Sequence, residues 1–453
     1  MLNNVDLEKI LGNQVSLHSI NDIHWRTQDS SEHSILFYKL GETKKDEAIF
    51  LERIRLTRYG HLVINRKIEH ELVHSSVISE ELWPSIQKVI LDKLYPLPDI
   101  KLIGVTGTNG KTTTADLILQ LGELIGKKGM SIGTLGVREN GRTMIDFGLT
   151  SPSFIDLRKF IHRYGQGKDF CVMEASSHAL YQQRIFGIEF DAAGWLSFSQ
   201  DHLDYHQTMK QYFEAKCLIF GQLKKKATLF VPHEQKDLFE KLSNVSNQVK
   251  KAALISVNLP VFFKTQFNKN NLEVAQAIIE DVFSIKLENS YDQLLPPDGR
   301  FYIRPYKSNF IIVDFAHTPD ALENICQGIL ETFPRFRLKI LFGCGGDRDR
   351  TKRPLMGKIA AKYAEKIYVT SDNPRSENPD QIIADITQGI DSLKLKTITD
   401  RREAVKIAFS ELNNNEILLL AGKGHEDNIL INGVKHPYSD IREVDEFISR
   451  NNS

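Results

Sequence analysis

The sequence predicts an α/β protein of three domains, and three observations carry that reading. From Lys101 onward, short apolar runs alternate with amphipathic helical stretches, the pattern of βαβ units around a parallel sheet. Two proline-bearing breaks, Tyr95-Pro96-Leu97-Pro98 and Leu294-Leu295-Pro296-Pro297-Asp298-Gly299-Arg300, divide the chain into residues 1–98, 99–297 and 298–453. The length, 453 residues, exceeds what one ordinary domain needs.

Residues 1–98 mix strand-like pieces (Ile35-Leu36-Phe37-Tyr38, His61-Leu62-Val63-Ile64) with helical stretches and read as a small α/β domain. The second domain opens on the most informative stretch of the chain. Lys101-Leu102-Ile103-Gly104-Val105 reads as a buried strand, and a helical pattern runs through Ala115–Leu121. Between them lies the turn Gly107, Thr108, Asn109, Gly110, Lys111, Thr112 and Thr113. Strand, glycine loop, Lys-Thr and helix together cradle a triphosphate. Backbone N–H groups and the helix N-terminus face the phosphates, the lysine adds a point charge, and the threonine hydroxyl can ligate Mg²⁺. Val105 stands where the first glycine of G-x-x-x-x-G-K-[ST] belongs, so the spacing is not the standard one. The alternative is a Gly/Thr-rich turn without chemistry, which the flanking strand and helix disfavour.

Further strands are expected at Phe170–Met173, Trp195–Phe198 and Ala227–Val231. Beyond the second break come Phe310–Val313, Leu338–Phe342, Lys366–Val369 and Glu416–Leu420, separated by helical segments. The last domain therefore reads as a second, Rossmann-like α/β sheet.

Composition narrows the function classes. Apolar residues make up 41% and charged residues 26%, ordinary for a globular protein with sizeable cores. Lys+Arg and Asp+Glu are 58 each, so no net charge steers the chain to nucleic acid or to a membrane surface. Cys171, Cys217, Cys326 and Cys344 show no C-x-x-C spacing and read as thiols of a reducing cytoplasm. The N-terminal stretch from Met1 to Gln14 lacks the pattern of a signal peptide, and no apolar run approaches the ~18 residues of a membrane span.

Two polar constellations follow strands. Asp201-His202-Leu203-Asp204-Tyr205-His206 suits a site at a strand's C-terminal edge, with His202 offering a ring nitrogen to a divalent cation. An ordinary helix cap with solvated histidines is the competing account. Met173-Glu174-Ala175-Ser176-Ser177-His178 puts the Glu174 carboxylate where it can hold Mg²⁺ through oxygen.

Taken in order, T-G-T-N-G-K-T, M-E-A-S-S-H-A-L, D-H-L-D-Y-H-x-T-x-x-x-Y-x-x-A-K, D-F-A-H-T-P-D, G-C-G-G-D-R-D, D-N-P-R and A-G-K-G-H-E resemble the Mur ligases. Within that family they resemble the branch adding the third residue of the peptidoglycan stem peptide. The match runs from about Lys101 to about Glu443, interrupted between about Phe220 and Asn271.

The resemblance implies an ATP-dependent amide ligase acting through an acyl phosphate. Its partners would be small molecules: ATP, UDP-MurNAc-L-Ala-D-Glu and an incoming amino acid, meso-diaminopimelate where D-N-P-R is present. It implies Lys111 as phosphate clamp, Thr112 and Glu174 on one Mg²⁺, and His202 on a second. Lys216 matches a lysine carbamylated by CO₂, whereas by itself it would read as a surface lysine. Asn271 matches an adenine contact, Arg300 an ATP contact, and Asp314 and His317 nucleotide contacts from the last domain. For Asp314 and Arg348, a strand-end cap or a surface ion pair is the competing account. Thr150, Ser151, Ser176, Gln182 and Arg184 match positions gripping the muramoyl dipeptide. Arg348, Asp372, Asn373, Pro374, Arg375, Gly422 and Glu426 match the amino-acid pocket. A cytoplasmic monomer without nucleic-acid partner or membrane insertion is expected.

This sequence departs from the family pattern in its N-terminal domain. The D-S-R triplet is replaced by Gln28-Asp29-Ser30-Ser31, with Ser30 retained, and G-x-x-x-D-G by Gly41-Glu42-Thr43-Lys44-Lys45-Asp46-Glu47. Leu149 replaces an asparagine, and the segment between Phe220 and Asn271 is short. These departures keep open a related ligase working on another carrier or adding lysine. A folylpolyglutamate synthetase is opposed by the D-N-P-R and S-S-H motifs, and an inactive regulatory homologue by the intact Lys111, Glu174, His202 and Lys216.

Overall fold

The computed structural model describes residues 9–11, 20–70, 72–257, 259–287, 291–388 and 390–451. Residues 1–8 and 12–14, read above for a leader, lie outside them. Contacts gather the chain into two compact units: residues 1–103, 127–191 and 218–224 in one, and 104–126, 192–217 and 225–453 in the other.

The first unit begins with a four-stranded, wholly parallel sheet of Asp22–His24, Ser34–Tyr38, His61–Ile64 and Ser75–Val77. Side chains alternate across a strand, and here both faces are buried. Ile35 and Phe37 join a core with Val63, Ile90 and Leu91, while Leu36 joins Phe50, Ile54 and Leu62 on the other side. That two-sided burial explains the unbroken apolar runs read in the sequence. Helix Phe154–Tyr164 adds Phe154 and Ile155 to the first of these cores. Strands Gly129–Gly133 and Phe170–Glu174 pair in parallel, and Gly136–Glu139 and Arg142–Ile145 extend them antiparallel.

In the second unit, helix Lys111–Leu124 follows the strand Lys101–Thr106 and is buried along most of its surface, packed by helix Gln266–Phe283. The six-stranded C-terminal sheet runs in the order Tyr302–Tyr306, Asn309–Asp314, Glu416–Ala421, Arg337–Phe342, Lys366–Val369, Leu395–Thr397. All its pairs are parallel except the first, so the α/β expectation holds with one antiparallel edge strand. The strand expected at Trp195–Phe198 is a correction: it is Phe190–Trp195. Its small residues Ala192-Ala193-Gly194 carry only a weak strand signal, and after Leu196 N–H donates to the Thr106 carbonyl at 3.0 Å the chain turns away toward the phosphate loop. Cys171, Cys326 and Cys344 are buried free thiols, and Cys217 is half-buried.

Candidate functional site

The loop Gly107–Thr113 is held from below by the segment that follows strand Phe190–Trp195. Thr108 N–H donates to the Ser197 carbonyl at 2.9 Å, Asn109 N–H to Ser197 Oγ at 2.9 Å, and Ser199 N–H to Thr108 Oγ1 at 3.0 Å. Tyr212 OH lies 3.2 Å from Thr108 Oγ1. Gly110, the residue that caps helix Lys111–Leu124, has φ +89°. A Cβ there would sit 2.5 Å from Asn271 Oδ1 and 2.7 Å from Leu196 Cδ1. Asn271 is buried, and its amide has no hydrogen bond within the described residues. Gly110→Ala is therefore expected to cost about 1–3 kcal/mol of stability through backbone strain and to raise the KM for ATP. Thermal melts and ATP titrations check this, and a variant with normal ATP affinity would contradict it.

Two lysine nitrogens converge on one carbonyl. Lys111 Nζ donates to the Gly107 oxygen at 3.0 Å and to the Thr108 oxygen at 2.9 Å, and Lys216 Nζ donates to the same Gly107 oxygen at 2.8 Å. Lys216 is 1% exposed and lies 4.8 Å over the Tyr212 ring. Burial, and then the Lys111 charge, push its amine well below the usual lysine range, with Asp201 opposing.

Further groups in the same unit surround this loop. Burial raises the Asp201 carboxyl, but His202, Lys352 and His317 outweigh it and hold the group below the usual carboxylate range. His202, at φ +54°, places Nε2 3.4 Å from Asp201 Oδ2. His317 donates from Nδ1 to the Phe315 carbonyl at 2.8 Å, and burial followed by the Lys352 charge pushes it down to about 4. Lys352 Nζ donates to the His317 carbonyl at 3.0 Å. Arg300 donates to Thr112 Oγ1 at 3.4 Å and lies 4.6 Å over the Phe315 ring. Asp314 accepts the Phe301 and Ala316 N–H groups, both at 2.8 Å, so part of its role is to shape the turn after its strand. Thr113 is buried in the first helical turn.

The first unit gathers its own set. Glu174, ending strand Phe170–Glu174, accepts the Thr134 N–H at 2.7 Å and the Thr134 hydroxyl at 3.2 Å. Thr134 also reaches Thr150 Oγ1 at 3.3 Å. Ser151 Oγ donates to the Glu174 carbonyl at 2.8 Å and lies 3.2 Å from Ser176 Oγ. Arg184 donates to the Ser151 carbonyl and to Gln182 Oε1, both at 2.9 Å. The expected dipeptide-gripping residues thus share one neighbourhood, to which Thr134 must be added. Its only signal was a Gly-Thr pair after a strand. In the small N-terminal sheet, Ser30 Oγ lies 2.9 Å from Ser34 Oγ. Thr43 and Asp46 form a reciprocal cap on helix Lys44–Arg55, so the loop from Gly41 commits its aspartate to helix capping.

The last domain assembles its pocket residues as a group. Asn373 Nδ2 donates to Glu426 Oε2 at 2.8 Å, and Gly346 N–H to the Asn373 carbonyl at 2.9 Å. Arg375, at φ +51°, is clamped by backbone bonds to Leu430 and Asn432 and donates from Nη1 to the Gly346 carbonyl at 2.7 Å. Burial, then Arg348, lowers its affinity for the proton, with Asp372 and Glu426 opposing. Arg348 is exposed and makes no hydrogen bond within the described residues. Gly422 has φ +109°, and a Cβ on it would meet Asp372 Oδ2 at 2.7 Å. Pro374 is buried between Asn373 and Arg375. Among the described residues, no three of His, Cys, Asp and Glu cluster as a metal cage, and no helix is long and apolar enough to cross a membrane.

Comparison with known proteins matches residues 105–288 to the Mur ligase middle domain and residues 299–424 to the Mur ligase, glutamate ligase domain. The chain is 33% identical over 463 residues to UDP-N-acetylmuramoyl-L-alanyl-D-glutamate--2,6-diaminopimelate ligase 1 of Clostridium acetobutylicum, covering 95% of each chain. The ligase of the same description from Aquifex aeolicus is 36% identical over 455 residues, covering 90% of this chain and 92% of its own. A solved structure of a UDP-N-acetylmuramoyl-L-alanyl-D-glutamate--2,6-diaminopimelate ligase superposes with TM-score 0.63 at 28% identity over 99% of both chains.

Proposed function

The chain belongs to the Mur ligase family of ATP-dependent ligases, and from that premise we propose that it joins meso-diaminopimelate to the D-glutamate side chain of UDP-MurNAc-L-Ala-D-Glu. The observation that carries the choice of amino acid is the pocket around Arg375. Two guanidinium groups, Arg375 and Arg348, stand with the Asp372 and Glu426 carboxylates, a mixed charge pattern that suits an amino acid with two carboxylates and two ammonium groups.

The substrate carboxylate attacks the γ-phosphate, an amine then attacks the acyl phosphate, and the tetrahedral intermediate expels phosphate. Like charges crowd in the first step, so positioning and electrostatic stabilisation dominate. Lys111 and the N–H groups at the start of helix Lys111–Leu124 neutralise the phosphates, and buried Asn271 receives the base. Arg300, Asp314 and His317 complete the nucleotide contacts from the last domain. Thr150, Ser151, Ser176, Gln182 and Arg184 hold the dipeptide.

For Mg²⁺, hard oxygen donors are the relevant test: the Thr112 hydroxyl, within the first turn of its helix, and the Glu174 carboxylate, at the end of its strand, are each a donor of that kind. Mg²⁺ keeps most of its water and needs only one or two protein oxygens. His202 is proposed for a second ion. When bound, the ions would offset charge on the phosphates. Lys216 is proposed to act as its carbamate. A buried amine beside a second ammonium is disfavoured as a cation, and the neutral amine is the form that adds CO₂. We read the protein as three domains and as a cytoplasmic monomer.

Phosphate release should require ATP, the nucleotide dipeptide and diaminopimelate together. Release with either acceptor component alone, or a preference for lysine, would overturn the assignment. The altered N-terminal domain lacks the arginine fork that would pair phosphate oxygens. Removing the uridine moiety is thus expected to raise KM by no more than about tenfold, one 1.4 kcal/mol step. A rise of several orders of magnitude would show that other residues fully replace that grip.

A further inference from the structure

Lys423 lies in A-G-K-G-H-E between two residues of the expected pocket, Gly422 and Glu426. It is 0% exposed. Its Nζ donates to Glu426 Oε2 at 2.8 Å and to Asn373 Oδ1 at 3.2 Å, and stands 3.7 Å from Asp372 Oδ1. An ammonium has three protons to give, and three acceptors surround this one. Two of those acceptors belong to D-N-P-R and one to G-H-E, so a single cation ties the two motifs together. Asn373 Oδ1 also accepts the Leu430 N–H at 2.9 Å, and the Leu430 carbonyl accepts the Arg375 N–H at 3.0 Å. The tie therefore extends to the backbone that clamps Arg375.

The consequence for Glu426 is an asymmetric carboxylate. Lys423 and Asn373 both hold Oε2, while Oε1 takes no hydrogen bond from any described residue. With one oxygen fixed, the other is held in a set place for an ammonium group of the incoming amino acid. A lysine buried for packing alone would not need two carboxylates and an amide oxygen around its Nζ. Burying a charge is costly unless it is paired and hydrogen-bonded, and here the pairing falls on pocket residues.

We propose that Lys423 is a positioning residue for the amino-acid pocket, locking Glu426 and the D-N-P-R turn into the geometry that receives the amine-bearing substrate. This rests on the pocket reading given above. It places no demand on ATP or the nucleotide dipeptide, which separates it from a general structural role.

Hydroxylamine supplies the test. Its amine attacks the acyl phosphate and expels phosphate to give a hydroxamate, bypassing the amino-acid pocket. Lys423→Gln in the full chain is expected to raise the KM for diaminopimelate by about 10- to 100-fold, the value of a hydrogen bond to a charged group. Hydroxamate formation from the nucleotide dipeptide should stay at the wild-type rate. The double variant Lys423→Gln/Glu426→Gln should lose less than the product of the two single losses, because Lys423 acts in part through Glu426. An unchanged KM for diaminopimelate, or losses that multiply in the double variant, would overturn the proposal. So would equal loss of hydroxamate formation in both Lys423→Gln and Lys423→Met. A wild type that forms no hydroxamate from the nucleotide dipeptide would instead count against the proposed function.

Discussion

Arg375→Ala is expected to lower kcat/KM for meso-diaminopimelate by roughly 10²- to 10⁴-fold, the cost of removing one partner from a desolvated charge pair. Diaminopimelate differs from lysine by a carboxylate at its far end. Arg375 commits only Nη1 to the chain, at the Gly346 carbonyl, and its other donors have no partner among the described residues. A planar fork of this kind matches a carboxylate in a way an ammonium does not, so Arg375→Lys should fail to restore activity. In the wild type, lysine would leave that fork unpaired near Arg348, and such a site rejects an analogue lacking the charged group by about 10⁴ or more. The alanine variant should therefore lose diaminopimelate activity and narrow the gap to lysine. Because Arg375 sits at φ +51°, Arg375→Gly is the control: it relieves backbone strain while removing the guanidinium, and it should behave as the alanine does. Steady-state kinetics with both amino acids checks this. A wild type that prefers lysine, or an alanine variant with unchanged preference, would refute it.

Lys216→Ala is expected to remove most turnover, by about 10²–10³ or more, the scale for deleting one preorganised electrostatic group. At the shared Gly107 carbonyl the Lys216 amine meets the Lys111 ammonium. Conversion of the Lys216 amine to a carbamate places an anion beside the Lys111 ammonium, which attracts it. If that anion is the working form, short carboxylates added to the alanine variant should restore part of the rate, and CO₂ depletion should slow the wild type. Full activity in Lys216→Ala would refute the role. Loss without any carboxylate rescue would restrict Lys216 to packing the loop against Tyr212.

Much of this was legible in the sequence because its signals are local. Buried parallel strands announce themselves as apolar runs, and strand, glycine turn, Lys-Thr and helix are contiguous. The hidden parts are non-local or lack a pattern. Strand Phe190–Trp195 has the small residues Ala192, Ala193 and Gly194 at its centre and Asp191 near its start, a weaker strand signal than the bulky run Trp195–Phe198 that follows. Thr134 matters through Glu174, 40 residues further along. Lys423 sat in plain view inside a motif, but its meaning lies in Asn373, 50 residues earlier. In the Gly41–Glu47 loop, Asp46 proved to be half of a helix cap.

The four thiols have a practical consequence. Burial pushes Cys171 and Cys326 far above the ordinary thiol range, Cys344 up to about 12 and Cys217 up to about 11. The thiolate is the species that alkylating reagents and peroxide consume, so the native chain should resist both. A cysteine introduced at Val434, which is 57% exposed on the hairpin Asn428–Ile431 and Val434–Pro437, would then outpace all four in labelling. A fluorophore there would sit on the same hairpin whose Leu430 and Asn432 clamp Arg375, placing a label beside the expected amino-acid pocket without removing any native cysteine.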